Sequence, residues 1–591
     1  MIGMQKNTQG FILPTVLVIS LTIVTIMVAA LMVTSSSFGG NYDDHYQKLA
    51  DEAAEAGSAY ATACLNLSEH VQTWGPALSR PNLTPNSNCD GANSYASNQY
   101  VYSDSRMRSY FSVGNLDYSA QFSAQISSLG YTEVLRPNGT VEKTYTSVQK
   151  KMITWPTDIS GQMSASGTNR TCAIVTSNVY CWGFNRYGQL GDGRYVGTTW
   201  LGAPDNRNSN PDDKSIVDSD IPVKVYKAPG VMEGKKIKKI FVAQYHSCAL
   251  SEDGLMFCWG YNSSGQLGTG DRVDSPVPVQ VGGALAGKVV TDIGGTNNAT
   301  CAIADGKIYC WGTNNNGITG AGISSTSTSS YIASPSLVSA TNTPTTLPTN
   351  YTATALSTSG SRSKLMCAIV SGKAYCWGAN NSGSVGNNTS STTAVSVPTK
   401  VTDTGALSGK VVTAISQDGY ASTTSPNDGF AHVCAIASGQ VYCWGENDYG
   451  QVGDGGAATQ RTSPVAVAAG PGEALYGKTV QEVQVGLRHS CVRADGGVYC
   501  WGVNNSGQLG DGTNTNQGKP KAVYTEAGKL TSTNVISIGA GANRGCAVVT
   551  DGRTFCWGLN TTGQIGDGTK INRNTPTESL FLRPKSNQYI F

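Results

Sequence analysis

The side chains of this chain best placed to do covalent chemistry are its sixteen cysteines, and the chemistry their spacing suggests is oxidation. Fourteen fall into seven short-range pairs: Cys172 with Cys181, Cys248 with Cys258, Cys301 with Cys310, Cys367 with Cys376, Cys434 with Cys443, Cys491 with Cys500 and Cys546 with Cys556. The second cysteine of each pair opens a Cys-Trp-Gly string. Cys301 and Cys310 are symmetric about Asp305-Gly306, a two-residue type I′ turn signal, so they face each other across a hairpin. Counting outward from the turn, 304:307 and 302:309 are hydrogen-bonded pairs and 301:310 is a non-hydrogen-bonded pair. Such pairs have a Cα spacing of about 4.5 Å, which a disulfide accepts. The same symmetry holds about Ser371-Gly372, Ser438-Gly439, Asp495-Gly496 and the poorer turn Thr176-Ser177. The two pairs that are one residue wider carry Gly254 and Gly552 at the third loop position, as a three-residue loop with a bulge requires. A metal site is the rival reading. It is disfavoured by the absence of CxxC spacing and by a supply of only five histidines. Each bridge closes a loop of ~10 residues and contributes at most about 2–3 kcal/mol in the chain-entropy model.

Other chemistries find little support. The chain has no nucleophile with a plausible base, no phosphate loop and no HExxH string, so it does not read as an enzyme and no cofactor is expected. His246, His432 and His489 sit beside the first cysteine of their pairs and read as structural. A net charge of +2 with 14% charged residues leaves no electrostatic footprint for nucleic acid. The Gly-Gln-Leu-Gly-Asp-Gly tails invite a calcium reading through Asp192, Asp454, Asp511 and Asp567. They lack the spacing of calcium β-rolls, and Thr269 and Asn387 replace the Asp in two copies, so a structural Gly turn is preferred and no metal is expected.

These pairs belong to a larger repeat. Trp182, Trp259, Trp311, Trp377, Trp444, Trp501 and Trp557 are 77, 52, 66, 67, 57 and 56 residues apart. A period of this size, rich in Gly and β-branched residues, is the pattern of propeller blades, and seven copies imply seven blades. In the third copy the four strands read as 277–279, 289–293, 301–303 and 308–311, with turn residues between them. Strings such as His246-Ser-Cys-Ala-Leu250, Phe257-Cys-Trp-Gly-Tyr-Asn-Ser-Ser-Gly-Gln-Leu-Gly268 and Cys500-Trp-Gly-Val-Asn-Asn-Ser-Gly-Gln-Leu-Gly-Asp-Gly512 resemble the regulator of chromosome condensation propeller repeats. The likeness is to the cysteine-bearing form found in secreted bacterial proteins, and it spans residues 160–584. It implies the fold but little about activity, because this superfold hosts exchange factors, inhibitors and adhesive modules alike.

The first forty residues suggest an address. Residues 1–10 form a polar leader and residues 11–33 an uncharged apolar run of 23 residues, long enough to span a bilayer as a helix. The junction Gln9-Gly10-Phe11-Ile12-Leu13-Pro14-Thr15 resembles the class III signal of type IV pilins. That resemblance implies prepilin peptidase cleavage between Gly10 and Phe11, followed by methylation of Phe11. The family usually has Glu where this chain has Thr15. A plain membrane anchor is the alternative. After the apolar run, Tyr46, Leu49, Ala50, Ala53, Ala54, Gly57, Tyr60, Ala61 and Cys64 recur with helical spacing. Gly57 weakens that stripe by about 1 kcal/mol against Ala, while a small residue there would let a sheet approach closely. A loop over 76–98 and strand-like runs at 108–113, 118–126, 131–135 and 143–151 complete a pilin-like plan. Cys64 and Cys89 are left to pair with each other, and sixteen paired cysteines imply an oxidising compartment.

The expected fold is therefore mainly β: a seven-bladed β-propeller preceded by a small α+β pilin domain with a long N-terminal helix. The expected boundaries are a leader at 1–10, a helix at 11–66 with 11–33 as transmembrane or filament core, a pilin loop and sheet at 67–152, and the propeller at 153–591. The large insertions 194–221, 319–349 and 416–431 are expected to share one propeller face. Tyr195, Trp200, Tyr331 and Tyr420 are candidate aromatic contacts on it; merely solvated loops are the alternative. Ring closure is expected from the run 577–582 supplying the first strand of blade one, with 153–155 as the other candidate. The functional expectation is a minor pilin displaying an adhesive propeller at or near a type IV filament tip. The absent Glu leaves unmade a contact that neutralises a neighbour's terminal amine in an apolar bundle, and a propeller with a radius of gyration of ~22 Å suits a shaft poorly. Its partners would be other pilin subunits, the inner membrane before assembly, and an extracellular protein or glycan, without nucleic acid. Alternatives are a structural initiator of a pilus or secretion filament, or an anchored propeller that inhibits another protein.

Overall fold

The computed structural model describes residues 42–67, 102–154 and 163–579, apart from short stretches at 104, 114–116, 121–122, 165–168, 176, 194–217, 228–230, 323–329, 341–342, 344, 360–362, 422–428, 457–458, 527–529, 532–534 and 551–552. The chain divides into two compact units, residues 1–156 with 582–591, and residues 157–581. The leader, the Gly10-Phe11 junction, the apolar run and the Cys64–Cys89 pairing lie outside the described residues. The helix expected over 11–66 is described only from Tyr42, as α1 (Tyr42–Leu67). No helix among the described residues is long and apolar enough to cross a membrane.

In the first unit α1 packs on an antiparallel sheet of β1 (Tyr102–Ser103), β2 (Met107–Val113), β3 (Asp117–Ala120), β4 (Ser123–Leu135) and β5 (Val141–Thr154). β4 is the spine. β2 pairs with its C-terminal half, β3 with its N-terminal end, and β5 runs along its other edge. The runs expected at 118–126 and 131–135 are thus β3 followed by one long strand. The helix buries Leu49, Ala50, Ala53, Ala54 and Ala61 of the expected stripe, and Ser58 beside it, while Tyr46 and Tyr60 are half-buried. Two glycines set the distance of approach. A Cβ on Gly57 would lie 2.1 Å from Ser128 Oγ, and one on Gly130 would lie 2.0 Å from the Ala50 carbonyl oxygen. Helix and sheet come this close because neither residue has a side chain.

The second unit is seven four-stranded antiparallel sheets, at 163–224, 237–280, 290–337, 353–400, 412–466, 480–522 and 535–578. Blade two shows the plan: Ile237–Val242 innermost, then His246–Ser251, Met256–Gly260 and Ser275–Gln280 outermost. The innermost strands of neighbouring blades touch, including those of blades seven and one. The phase differs by one strand from the sequence expectation, since 277–279 belongs to the outermost strand of blade two rather than opening the third copy. The closure differs for the same reason. Arg573–Glu578 is the outermost strand of blade seven, while Met163–Ser164 is the innermost strand of blade one. Ile153 and Thr154 belong to β5. Among the described residues no strand is exchanged between the ends; sequential antiparallel pairing fills each sheet locally.

The cysteine hairpins are built as their turns dictate. Asp305, Ser371, Ser438 and Asp495 have φ of 48–53° and the glycines after them 70–78°, the two left-handed residues of a type I′ turn. Each cysteine stands directly opposite its partner in the register. All seven expected pairs are disulfides, with Cα separations of 4.0–4.1 Å: Cys172 to Cys181, Cys248 to Cys258, Cys301 to Cys310, Cys367 to Cys376, Cys434 to Cys443, Cys491 to Cys500 and Cys546 to Cys556. That is slightly closer than the ~4.5 Å expected of such a pair. The wider loops of Cys248 to Cys258 and Cys546 to Cys556 keep the same register as the others, so the extra residue is absorbed in the turn.

The tryptophan after each hairpin makes the seam between blades. All seven are fully buried, and every indole N–H donates to a backbone carbonyl in the loop of the preceding blade at 2.8–3.0 Å. The last of these bonds closes the ring, from Trp182 of blade one to Gln564 of blade seven. Two residues past each accepting carbonyl is a glycine with φ of 66–79° lying against the same indole. A Cβ on Gly566 would come within 2.6 Å of Trp182 Nε1. Gly566→Ala should therefore destabilise the propeller by about 2–4 kcal/mol, from backbone strain and overpacking together. Gly470→Ala, where a Cβ meets nothing within 4 Å, should be nearly neutral; urea unfolding of the two variants checks this.

Candidate recognition site

Antiparallel order places the Cys hairpin turns and the inter-blade connections on one face. The connections between first and second strands, and between third and fourth, emerge on the other, here the loop face. Blade one's innermost strand begins on the hairpin face and blade seven's outermost strand ends there, so the loop face carries no chain entry or exit. Of the three insertions, most of 194–221 lies outside the described residues, while the described part of 416–431 lengthens the first hairpin of blade five, whose connection is on the loop face. The third, 319–349, does not stay there: it contains the outermost strand Tyr331–Leu337 of blade three, and residues after 337 emerge on the hairpin face. Composition marked it as one loop because its strand is Ser-rich and half exposed.

Each third-to-fourth loop is pinned by the asparagine two residues after the Trp-Gly. Asn185, Asn262, Asn314, Asn380, Asn447, Asn504 and Asn560 each accept, through Oδ1, the backbone N–H five residues on at 2.8–3.2 Å. Where the tail has Asp, the carboxylate is engaged by its own loop. Asp511 and Asp567 accept from the Asn amide and from the Thr two residues later. Asp454 and Asp567 also pair with Arg461 and Arg573. Hydrogen bonding inside the loop thus explains these aspartates. With Asn and Gly fixed by structure, the residues flanking the Asn and the one before each buried seam residue of the second strand are left to vary.

Aromatic and arginine side chains gather on the loop face in two places, at these positions, at the second residue after the Asn (Tyr187, Tyr449) and, for Tyr420 and Phe430, on the lengthened first hairpin of blade five. Across blades one and two stand Phe184, Tyr187, Tyr245 and Tyr261. Tyr187 packs on Tyr245 and Tyr261 with centroids 5.6 and 4.9 Å away, and Gln244 Nε2 donates to the Tyr245 hydroxyl at 2.9 Å. Across blades five and six, Arg488 lies over two rings, 4.3 Å from the Tyr420 centroid and 4.8 Å from that of Tyr449. Phe430 stacks behind Tyr420 at 5.1 Å. Glu446 lies beneath with 2% of its surface exposed, 4.0 Å from Arg488 Nε. Burial pushes its carboxyl up to about 7, against the pull of Arg488.

Of the four aromatic residues expected to make contacts, Tyr195 and Trp200 lie outside the described residues. Tyr331 is 44% exposed and stacks under Arg272 at 4.4 Å; Tyr420 belongs to the blade-five cluster. The two sit on different blades, in separate clusters. Sequence reasoning missed Tyr187, Tyr245, Tyr261, Tyr449 and Arg488, although aligning the seven copies on Cys-Trp-Gly exposes them as departures from the repeat.

Below the loops, the residue two before the first cysteine is Arg or His in five of the seven hairpins, and Arg170, His246, His432 and Arg544 tie blade to blade from it. Arg170 donates to the carbonyls of Gln244 and His246 and to Ser247 Oγ, His246 Nε2 meets Thr300 Oγ1 at 2.8 Å, and His432 Nε2 meets Ser490 Oγ at 2.9 Å. Arg544 closes the circle on Thr171 Oγ1 and the Arg170 carbonyl. These side chains are buried. Burial, helped by Arg170, pulls His246 down to about 3; burial and His489 hold His432 at about 3, and burial holds His489 at about 4.

The chain belongs to the regulator of chromosome condensation (RCC1) repeat family, whose model matches residues 177–250, 253–303, 371–416, 438–493, 495–548 and 551–586, more than half of its length. It is 26% identical over 443 residues to the ultraviolet-B receptor UVR8 of Arabidopsis thaliana, covering 72% of this chain and 83% of the receptor. Similarity to the human E3 ubiquitin-protein ligase HERC2 is 27% over 326 residues, 54% of this chain but 6% of HERC2. Among solved structures, human WBSCR16 superposes with a TM-score of 0.53 at 19% identity, covering 68% of this chain and 94% of that one. Prp20p of Saccharomyces cerevisiae gives 0.50 at 19%, covering 71% and 87%. The family points to a binding or regulatory role.

The buried histidines make the propeller acid-sensitive. Unfolded, they bind protons below about 6.5; folded, they stay neutral down to about 3–4. Their contribution is fully present above pH 6.5 and is lost as pH falls toward 4. Glu446 and Glu482, whose pKa values burial raises, act in the opposite sense. His432→Gln, which keeps a hydrogen-bonding group toward Ser490, should flatten the loss of stability between pH 6.5 and 4, measured by urea unfolding across that range.

Proposed function

We propose that this protein is a minor pilin that displays its propeller as an adhesive module at or near the tip of a type IV filament, recognising its target through the loop face. The observation that carries the recognition half is the grouping of aromatic and arginine side chains on the loop face, with Tyr187 and Tyr449 where the other copies have Asn, Ser or Thr, and Tyr245 and Arg488 where they have Asn, Lys or Ala. Aromatic residues and arginine dominate binding energetics where they are held rigidly, and here Asn clamps and Trp seams hold them. The pilin half is supported by the 9–15 junction, the apolar run behind it and the packing of a 26-residue helix on a small antiparallel sheet. The maturation it implies exports the chain to an oxidising space, in keeping with seven hairpin disulfides.

Two measurements test the halves separately. Mass spectrometry of the mature protein should find Phe11 as a methylated N-terminus, and Gly10→Val should leave an unprocessed precursor; an intact Met1 or cleavage after Val33 overturns the pilin half. Removing residues 157–581 should leave filaments intact and abolish attachment. Loss of the filaments themselves would make the protein an assembly initiator instead.

A further inference from the structure

We propose that the blade five–six cluster is a subsite for the carboxylate of an acidic sugar, with Arg488 as the ion-pairing group and Tyr449 as the platform for the sugar ring. This rests on the reading of the loop face as a recognition surface.

Stacking decides which parts of a guanidinium remain free. Tyr420 and Tyr449 approach Arg488 within 4.3 and 4.8 Å of their centroids, and Tyr420 also hydrogen-bonds it; a guanidinium has five N–H donors in one plane, more than these rings use. One of those donors, on Nη1, meets the Tyr449 hydroxyl at 3.4 Å, a long bond. Phe430, stacked on Tyr420, braces that ring from behind. Tyr420 and Phe430 face each other across the extended first hairpin of blade five, so the clamp is part of a sheet. A guanidinium held in this way loses little further rotamer freedom on meeting a ligand.

The charges around it decide the ligand. Glu446 stands 4.0 Å from the buried Nε with 2% exposure, so the solvent-reaching part of the guanidinium is its terminal Nη end. Burial keeps that carboxyl partly protonated near neutrality, so it does not fully cancel the arginine. The Arg488 side chain is 29% exposed and Tyr449 39%, so both reach solvent. A lone guanidinium with Glu446 below and Asp448 nearby suits a singly charged oxyanion, and repels a doubly charged phosphate. The blade-six loop, whose Val503 N–H donates to the Arg488 carbonyl at 2.9 Å, carries exposed Asn505 and half-exposed Ser506. Such neutral hydrogen-bonding side chains suit sugar hydroxyls. An acidic peptide offers neither a sugar ring to lie on Tyr449 nor hydroxyls for Asn505 and Ser506.

The test is titration of the full-length protein with glucuronic acid and N-acetylneuraminic acid, with glucose and oligoglutamate as comparators. Acidic sugars should bind, weakening as salt is raised, and glucose should bind at least tenfold more weakly. Arg488→Gln should reduce acidic-sugar binding at least tenfold, and Arg488→Lys, which keeps charge but loses the planar fork, should also reduce it. Arg272→Gln, at the separate Tyr331 stack, should not. Matching thermal melts of Arg488→Lys and the parent guard against a folding artefact. Equal binding of glucose, unchanged binding by Arg488→Gln, or binding of oligoglutamate without the sugars would each overturn the assignment. If no acidic sugar binds while filaments lacking residues 157–581 still fail to attach, this subsite is wrong and the recognition reading stands. If the sugar binds through Arg488 while those truncated filaments attach normally, the subsite stands and the adhesive reading fails.

Discussion

The propeller depends on one hydrogen bond made seven times, from a buried indole N–H to a backbone carbonyl of the blade before it. A tryptophan buried without a partner for its N–H would be costly, so the preceding loop must deliver a carbonyl at a fixed place. That requirement orders the residues around it. The accepting loop needs a left-handed glycine against the ring, because any Cβ would collide with it. It needs an asparagine to hold its tight return, and the seven Asn Oδ1 contacts supply that. The disulfide one residue before each tryptophan, as at Cys181, Cys376, Cys443 and Cys556, holds the second strand to the third where the indole must be aimed.

The same bond joins blade seven to blade one, and this explains why no strand has to be exchanged to close the ring. Trp182 uses Gln564, Thr171 Oγ1 donates to the same carbonyl, and Gly568 donates to Asp220. The closing seam is chemically equivalent to the others. The seams are not identical at their inner end, however. Blades three and four place Ala299 and Leu365 two residues before the first cysteine, where the five others have Arg or His. Compensation comes from the inner strands. Asp292 accepts the Leu356 N–H, Ser359 Oγ donates to Asp418, and Gln417 reaches the Leu365 carbonyl. Two of these groups, Gln417 and Asp418, lie on the lengthened hairpin of blade five, so the insertion that carries Tyr420 also repairs a seam.

What could be read from the sequence divides along the same line. Turn type, cysteine register and blade number follow from local rules, because a type I′ turn and a period-two ladder leave no freedom once the Asp-Gly is seen. The helix stripe with Gly57 was equally local. The phase of the blade was not, since a strand such as Ser275–Gln280 can pair on either side as far as its own residues show; only the contact with Cys258 in space assigns it to blade two. Closure failed for that reason alone. On the candidate loop face, Tyr331 and Tyr420 are conspicuous in the sequence because they lie in insertions. Tyr187, Tyr245 and Arg488 sit in short regular loops, and their neighbours belong to adjacent blades far away in sequence.

This separation also shows where chemistry can vary on such a ring. Each loop commits its asparagine, its glycines and a main-chain carbonyl to the seam, and none of these uses the side chains flanking the asparagine. Arg488 can stand where other blades have Asn, Lys, Ala or Tyr because the residue after it, His489, forms the buried wall. Glu446 shows the limit of that freedom. It follows the Trp-Gly directly, where a side chain is nearly buried, and its carboxyl is held up near 7 as a result. A charge at that depth is tolerable only with a guanidinium above it, so Glu446 and Arg488 must be read as one unit drawn from two blades.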